Sequence, residues 1–415
     1  MCTCLVFITV NVAQKLGAED ISDESRVMRN SDTVDFRSQY RYVFPKAASN
    51  RIIDKNNELH RFFKKLNALK SVDRESGEIK TVSIVHLGDS HIQADFITGT
   101  VRRLMNRHFG NPGRGLIAPN RLMKSNNGLH YKVSSDRVWN HSFVVRPNEI
   151  PIGIAGLGLQ VNDSTACVKI STANETLSGE WDFNRVTVFC SCDSASVETG
   201  GEQILYNDYY RIFKLDTLKN DIDINFTSDK NEINFFGCSL SNGNSGVFYH
   251  SIGINGARFG DFCNHETMFS QLSALEPDLV ILSFGTNESM GKYINETDLY
   301  TSLAELLFHI HRLSPDLTVI LTTPAETYTR NRAAPNTLRA GKVRNIIVDF
   351  AEKNGYPYWD LYKITGGKGS AVSWNKNRLM TRDKIHLKPA GYEFQGELLF
   401  EAIMKSYNSY IKENS

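Results

Sequence analysis

The chain has 415 residues, 41% of them apolar, and a formal net charge of +1. That length allows one large domain or two of medium size, and the apolar fraction excludes a wholly disordered chain. Near-neutral charge gives no sign of a nucleic acid or an anionic membrane as partner. At the N-terminus, Cys4-Leu5-Val6-Phe7-Ile8-Thr9-Val10-Asn11-Val12-Ala13 has about the length of a signal-peptide apolar region and is too short to span a bilayer. Basic residues are missing before it, and an ordinary buried strand or helix is the alternative. Residues 1–18 are therefore expected to be a signal peptide, cleaved near Ala13 or Ala18, and the protein to be exported, periplasmic or extracellular. No other segment is long and apolar enough for a transmembrane helix.

Residues 19–79 read as an N-terminal leader and helix. The chain is polar and irregular to about Asn50; Asn56–Val72 then carries Leu59, Phe62, Phe63, Leu66 and Leu69 at amphipathic-helix spacing. Thr81-Val82-Ser83-Ile84-Val85-His86-Leu87 is a buried-strand run, followed by a helix from about Asp95 to Phe109 that Gly110 closes. Between roughly Pro119 and Asn244 the helical period disappears. Short apolar or alternating runs replace it at Ser142–Val145, Ile152–Ala155, Ala166–Ile170, Arg185–Cys190, Tyr209–Lys214, Asp223–Phe226 and Glu232–Phe236. Turn clusters separate them, which predicts an all-β sandwich.

Strand and helix alternate again from Val247. Strands are expected at Val247–Ile254, Asp278–Phe284, Leu317–Thr322 and Tyr356–Asp360. Helices are expected at about His265–Leu275, Leu299–Arg312, Leu338–Lys353 and Pro389–Tyr410. Such alternation predicts an α/β fold, a three-layer doubly wound parallel sheet. Residues 80–118 and 247–415 would then form one discontinuous domain, interrupted by the β domain at 119–246.

Seven cysteines are present: Cys2, Cys4, Cys167, Cys190, Cys192, Cys238 and Cys263. After loss of a signal peptide their number is odd and they lack metal-ligand spacing, so neither a disulfide framework nor a zinc site is supported. Cys190-Ser191-Cys192 puts two sulfurs on one strand face, as core residues do. The glycine-rich stretches Gly110–Gly115 and Gly366–Gly369 lack the strand-loop-helix context of a phosphate cradle and read as loops. Nothing demands a metal, nucleotide or prosthetic group, so no cofactor is expected.

Chemistry concentrates at strand ends. Gly88-Asp89-Ser90-His91 follows the first strand, where open α/β sheets place their ligands. A serine hydroxyl needs a base, and the base works best with an orienting carboxylate. Asp383-Lys384-Ile385-His386-Leu387 supplies both within one turn. Asn287, in Gly285-Thr286-Asn287-Glu288, could aim its amide at a developing oxyanion. Gly256, in Ser251-Ile252-Gly253-Ile254-Asn255-Gly256-Ala257, could present a backbone N–H at close approach. Each residue taken singly also has an ordinary reading as a cap, a turn or a core group.

The ordered set resembles the SGNH/GDSL hydrolase superfamily, whose blocks are named for Ser, Gly, Asn and His. That resemblance implies Ser90 as nucleophile, His386 as general base then acid, and Asp383 as its orienting partner. It implies an oxyanion hole of the Ser90 N–H, the Gly256 N–H and the Asn287 amide. The first block departs from the pattern, reading GDSH rather than GDSL; the His91 side chain is expected to point elsewhere and receives no catalytic role. The layout and the stretches Gly88–Asp95, Gly237–Leu240 and Tyr249–Ala257 are similar to bacterial peptidoglycan O-acetylesterases, which carry an inserted carbohydrate-binding-module-like sandwich.

This implies a serine esterase that removes O-acetyl groups from a cell-wall glycan or related polysaccharide, with that acetylated glycan as its partner. An O-acetyltransferase on the same glycans, a general carbohydrate or lipid esterase, and a catalytically silent glycan-binding protein are the rival readings. Trp139, Trp181, Tyr209 and Tyr210 are candidates for stacking on sugar rings, although such residues are more often core. Oligomeric state is not legible.

Overall fold

The computed structural model describes residues 49–70, 78–126, 128–172, 179–191, 195–291, 293–328 and 337–414. The expected signal peptide, nearly all of the leader, and Cys2, Cys4 and Cys192 lie outside the described residues.

Helix α1 (His60–Lys70) buries Phe62, Phe63, Leu66 and Leu69, the stripe its spacing predicts. Strand β1 (Thr81–Gly88) follows, buried at every position after the first. It runs through Asp89 into the short helix α2 (Ser90–Gln93) and then into α3 (Phe96–Phe109). Later in the chain come β13 (Gly246–Gly253), β14 (Leu279–Ser283), β15 (Thr318–Thr322) and β16 (Tyr358–Trp359). These five described strands pair with one another in parallel, in the spatial order β13-β1-β14-β15-β16. Renumbered along the chain, that order is 2-1-3-4-5, a doubly wound sheet whose topological switch point lies between β1 and β14. The site is expected at their carboxyl ends, where Ser90 and Asn287 sit.

Burial of both faces of β1, β14 and β15 requires helices on either side. The connecting helices are α4 (Glu266–Leu272), α5 (Thr286–Met290), α6 (Glu296–Leu313), α7 (Thr337–Asn354), α8 (Leu361–Ile364) and α9 (Ser370–Lys376). The last helix, α10 (Pro389–Glu413), has proline at its first turn, where the missing N–H costs nothing. It packs along α3 and α1. Among the described residues no helix is long and apolar enough to cross a membrane.

Between α3 and β13 lie two antiparallel sheets. One has the order β4-β5-β12-β7-β10-β9, with β2 also on β12; the other is β3-β6-β11-β8. Their strands are β2 (Gly115–Ile117), β3 (Lys132–Ser135), β4 (Asn140–Phe143), β5 (Leu157–Val161), β6 (Thr165–Ser171) and β7 (Phe183–Cys190). The remainder are β8 (Ser196–Glu198), β9 (Glu202–Tyr206), β10 (Tyr210–Lys219), β11 (Asp221–Thr227) and β12 (Ile233–Ser241). β11 alternates exposed and buried residues along its whole length, the pattern of a half-buried strand. Phe226 of β11 meets Phe235 of β12 with centroids 5.6 Å apart, and Trp139 packs on both, so the two sheets share one core.

Four sequence expectations need correction here. Ile152–Ala155 is no strand: its apolar side chains are buried in a turn, with Gly156 N–H bonded to Gly153 O and Ile154 N–H to Gln271 Oε1. Gly115, read as the end of a loop, starts β2 and pairs with Leu240 in the larger antiparallel sheet. Helix α9, directly after the Gly366–Gly369 loop, has no counterpart among the helices expected from the sequence. Trp139 and Trp181, at 4% and 2% exposure, are core residues and present no face to a sugar.

The α/β part and the antiparallel sheets are joined by a buried ionic cluster. Asp95 takes a left-handed conformation (φ 58°) before α3 and accepts from Arg102 Nη2 at 2.9 Å and Arg114 Nη2 at 2.6 Å. Arg102 also donates to Tyr249 O of β13, Arg114 to Leu129 O, and Asp95 accepts the Leu129 N–H. Burial alone would raise the Asp95 carboxyl; the two guanidinium groups outweigh it and hold the group well below the usual carboxylate range. Asn tolerates the same backbone, so Asp95→Asn keeps the turn while it removes the charge and turns one acceptor oxygen into a donor. Two buried cations without an anion should lower stability by about 3–5 kcal/mol, measured by urea denaturation. A loss under about 1 kcal/mol would show the cluster to be solvated.

Candidate active site

Asp89 sets the local geometry at the end of β1. Its carboxylate accepts the His91 N–H at 2.9 Å and so starts α2 immediately after the strand, with Ser90 as first helical residue. Room for this turn comes from Gly253 at the end of the neighbouring strand, where a Cβ would stand 2.1 Å from Gln93 N. The His91 N–H is thus occupied, whereas the Ser90 N–H has no protein acceptor among the described residues, as is usual for a first-turn donor.

Opposite Ser90 lies the segment before α10. Asp383 Oδ1 accepts from Ile385 N, His386 N and the Thr381 hydroxyl, and Thr381 N donates to His386 O. This knot of local bonds holds the imidazole in place. His386 Nδ1 is 2.7 Å from Asp383 Oδ2, and His386 Nε2 is 2.9 Å from Ser90 Oγ. With a carboxylate at Nδ1, the neutral imidazole carries its proton there and offers Nε2 as acceptor to the serine hydroxyl. Burial acts to raise the Asp383 carboxyl, but the bonds from His386, Thr381 and two backbone N–H groups outweigh it, and the group stays ionised well below the ordinary carboxylate range.

The two remaining expected residues are tied to each other. Gly256, at φ 84°, lies exposed in the turn after β13. Asn287 stands in the first turn of α5 and donates through Nδ2 to Ala257 O at 2.9 Å, which leaves its second amide hydrogen for a ligand. Gln93 of α2 accepts the Asn255 N–H at 2.7 Å through Oε1, coupling the Gly256 turn to the helix that carries Ser90.

His91 does not point elsewhere. Its ring centroid is 5.4 Å from that of His386, and its Nδ1 is 3.0 Å from Tyr392 Oη. Burial lowers the His91 pKa, opposed by Asp89 and assisted by His386, so a neutral ring lies beside His386.

Glu288 was quoted in the sequence without a role. Its two carboxylate oxygens accept from Phe259 N at 3.0 Å and Gly285 N at 2.9 Å, so one side chain clamps the turn after Gly256 to the loop that carries Asn287. Because Gly285 has no side chain, Glu288 makes only the return half of a capping box, which the sequence does not announce. Burial pushes its carboxyl up to about 7, with Asp89 adding to the shift. The native state then keeps this proton at pH values where the unfolded chain has lost it, so stability falls as pH rises from about 4.5 to about 7. Glu288→Gln removes this dependence: the wild-type stability minus that of the variant should decrease across that window and level off above it, read from urea midpoints. Parallel curves would show that Glu288 does not titrate there.

Residues 227–394 match the model of the GDSL-like Lipase/Acylhydrolase family. That span takes in Gly256, Asn287, Asp383 and His386; Ser90 precedes it in the sequence. Among solved structures, a peptidoglycan O-acetylesterase superposes with a TM-score of 0.69 at 19% identity, over 86% of this chain and 99% of that one. The part of this chain left uncovered is shorter than the antiparallel region, so the shared fold reaches into that region. A lipase/acylhydrolase from Enterococcus faecalis aligns at 21% identity over 39% of this chain and 77% of that one, TM-score 0.32. An acetyl xylan esterase aligns at 23% identity over 36% and 78%, TM-score 0.31. No curated protein sequence matches the chain. Over residues 227–394 the chain is thus similar to the GDSL-like lipase/acylhydrolases, and over most of its length it shares the fold of a peptidoglycan O-acetylesterase.

Proposed function

We propose that this protein is a serine esterase that removes O-acetyl groups from a cell-wall glycan or a related polysaccharide. The observation that carries the reading is the unbroken hydrogen-bonded path from Ser90 Oγ through His386 to Asp383. On this reading Ser90 Oγ attacks the acetyl carbonyl as its proton passes to His386 Nε2. Negative charge on the carbonyl oxygen is met by the Ser90 N–H, the Gly256 N–H and the Asn287 amide. The imidazolium, paired with Asp383, then protonates the departing sugar oxygen. A water gives its proton to His386 and attacks the acyl-serine, and collapse releases acetate and restores the serine hydroxyl.

The likeness of fold to a peptidoglycan O-acetylesterase supports a glycan as the alcohol. In the same reading, residues 1–18 are a signal peptide and the protein works in the bacterial envelope. Residues 80–118 and 247–415 form the hydrolase, and 119–246 is an inserted β domain that holds glycan against it.

Acetate release from O-acetylated peptidoglycan and from acetylated xylan should be seen with one or both substrates and abolished in Ser90→Ala; equal activity of both proteins contradicts the mechanism. Asn287→Ala removes one oxyanion donor and should lower kcat by about 100- to 1000-fold. Loss of its bond to Ala257 should cost about 1 kcal/mol of stability, checked by urea midpoint. Undiminished turnover in that variant excludes the amide from the oxyanion hole.

A further inference from the structure

A groove of about 210 Å3 lies beside the two elements that carry Gly256 and Asn287. Arg258, Asp261, Glu288, Tyr293, Asn295 and Asp298 line it. Arg258 follows Gly256 by two residues, a span of at most about 7 Å along the chain, and Glu288 is adjacent to Asn287. Whatever occupies the groove is therefore in reach of a substrate whose carbonyl sits at the oxyanion donors.

The lining has a definite chemistry. Tyr293 is 79% exposed. Around it stand groups rich in hydrogen-bonding capacity. The Asp261 carboxylate is fixed by the Arg258 N–H at 2.8 Å and the Asn295 side-chain oxygen by the first turn of α6, so both are held in place before any ligand arrives. The Arg258 guanidinium forms no ion pair among the described residues. A pyranose ring matches this combination, having one face of C–H groups for an aromatic ring and an edge of vicinal hydroxyls for carboxylates and a guanidinium fork. An acyl chain would leave these polar groups unpaired, and an anionic sugar would meet Asp261 and Asp298. The volume lies below the ~300 Å3 at which pockets for larger ligands begin, which suits a single ring.

We propose that this groove is a subsite for one neutral pyranose unit next to the acetylated sugar, stacked on Tyr293 and held by its hydroxyls on Arg258, Asp261 and Asp298. The proposal rests on the reading of the protein as a glycan esterase and adds where the neighbouring ring lies. It is tested by binding alone, on the full chain carrying Ser90→Ala, titrated calorimetrically with unacetylated chitotetraose and xylotetraose. At least one should bind, and adding Tyr293→Ala should weaken it about fivefold or more. Tyr293→Phe keeps the ring and should bind as before; so exposed a position is not expected to disturb folding. Absence of binding to either oligosaccharide, equal affinity in Tyr293→Ala, or equal losses in Ala and Phe variants would overturn the stacked subsite. Failure of the esterase reading shows separately, as absence of acetate release from acetylated glycans by the protein with Ser90 intact.

Discussion

One hydrogen bond, between Ser90 and His386, joins points 296 residues apart, and most of the architecture serves to keep it at 2.9 Å. The serine end is rigid because β1 lies inside a parallel sheet and Asp89 starts a helix the moment the strand stops. The histidine end is rigid for a different reason. Its segment is irregular, so its backbone is held by Thr381 and Asp383 rather than by a ladder, and α10 then anchors it by packing along α3. Helix α3 leaves the Ser90 turn directly, so both ends of the bond are referred to one packed pair of helices.

Electrostatics around this bond divide by burial. Asp383 is partly exposed yet stays ionised, because four hydrogen bonds converge on it. Asp89 and Glu288 are driven the other way by desolvation, and His91 is kept neutral beside the ring that must become a cation. An imidazolium forming at His386 therefore meets one firm negative charge, on Asp383, and no positive charge on the neighbouring His91. Glu288 adds mechanical coupling, since its carboxylate spans the two loops from which the proposed oxyanion donors come.

The α/β half was legible because its strands are buried on both faces and its helices amphipathic, which makes period and length agree. The residues Ser90, Asp383 and His386 could be singled out since each stands where a strand or helix changes into a turn, and the structure brings those three into contact. Less could be read of the antiparallel region. Short strands such as β3 and β8 carry too few residues to establish a period, and β9 exposes all five of its side chains. Ile152–Ala155 misled for the opposite reason: burial made it apolar, but its backbone bonds run through a local turn and Gln271. The Asp95–Arg102–Arg114 cluster was out of reach: Asp95 and Arg102 stand seven residues apart, a spacing that a solvated helix face shows equally well, and Arg114 lies beyond the end of α3. His91 was misjudged because adjacency to Ser90 in a strand would reverse its direction, whereas at the start of a helix both side chains can serve one pocket.

The central claim is that Ser90 is an alcohol activated by His386. It is tested most directly by treating the protein with diethyl p-nitrophenyl phosphate, weighing the intact product and mapping the modified peptide. A single diethylphosphoryl group on Ser90, added rapidly to the wild type and far more slowly to His386→Ala, is the predicted result. Absence of an adduct, or an adduct on any other residue, would contradict the account.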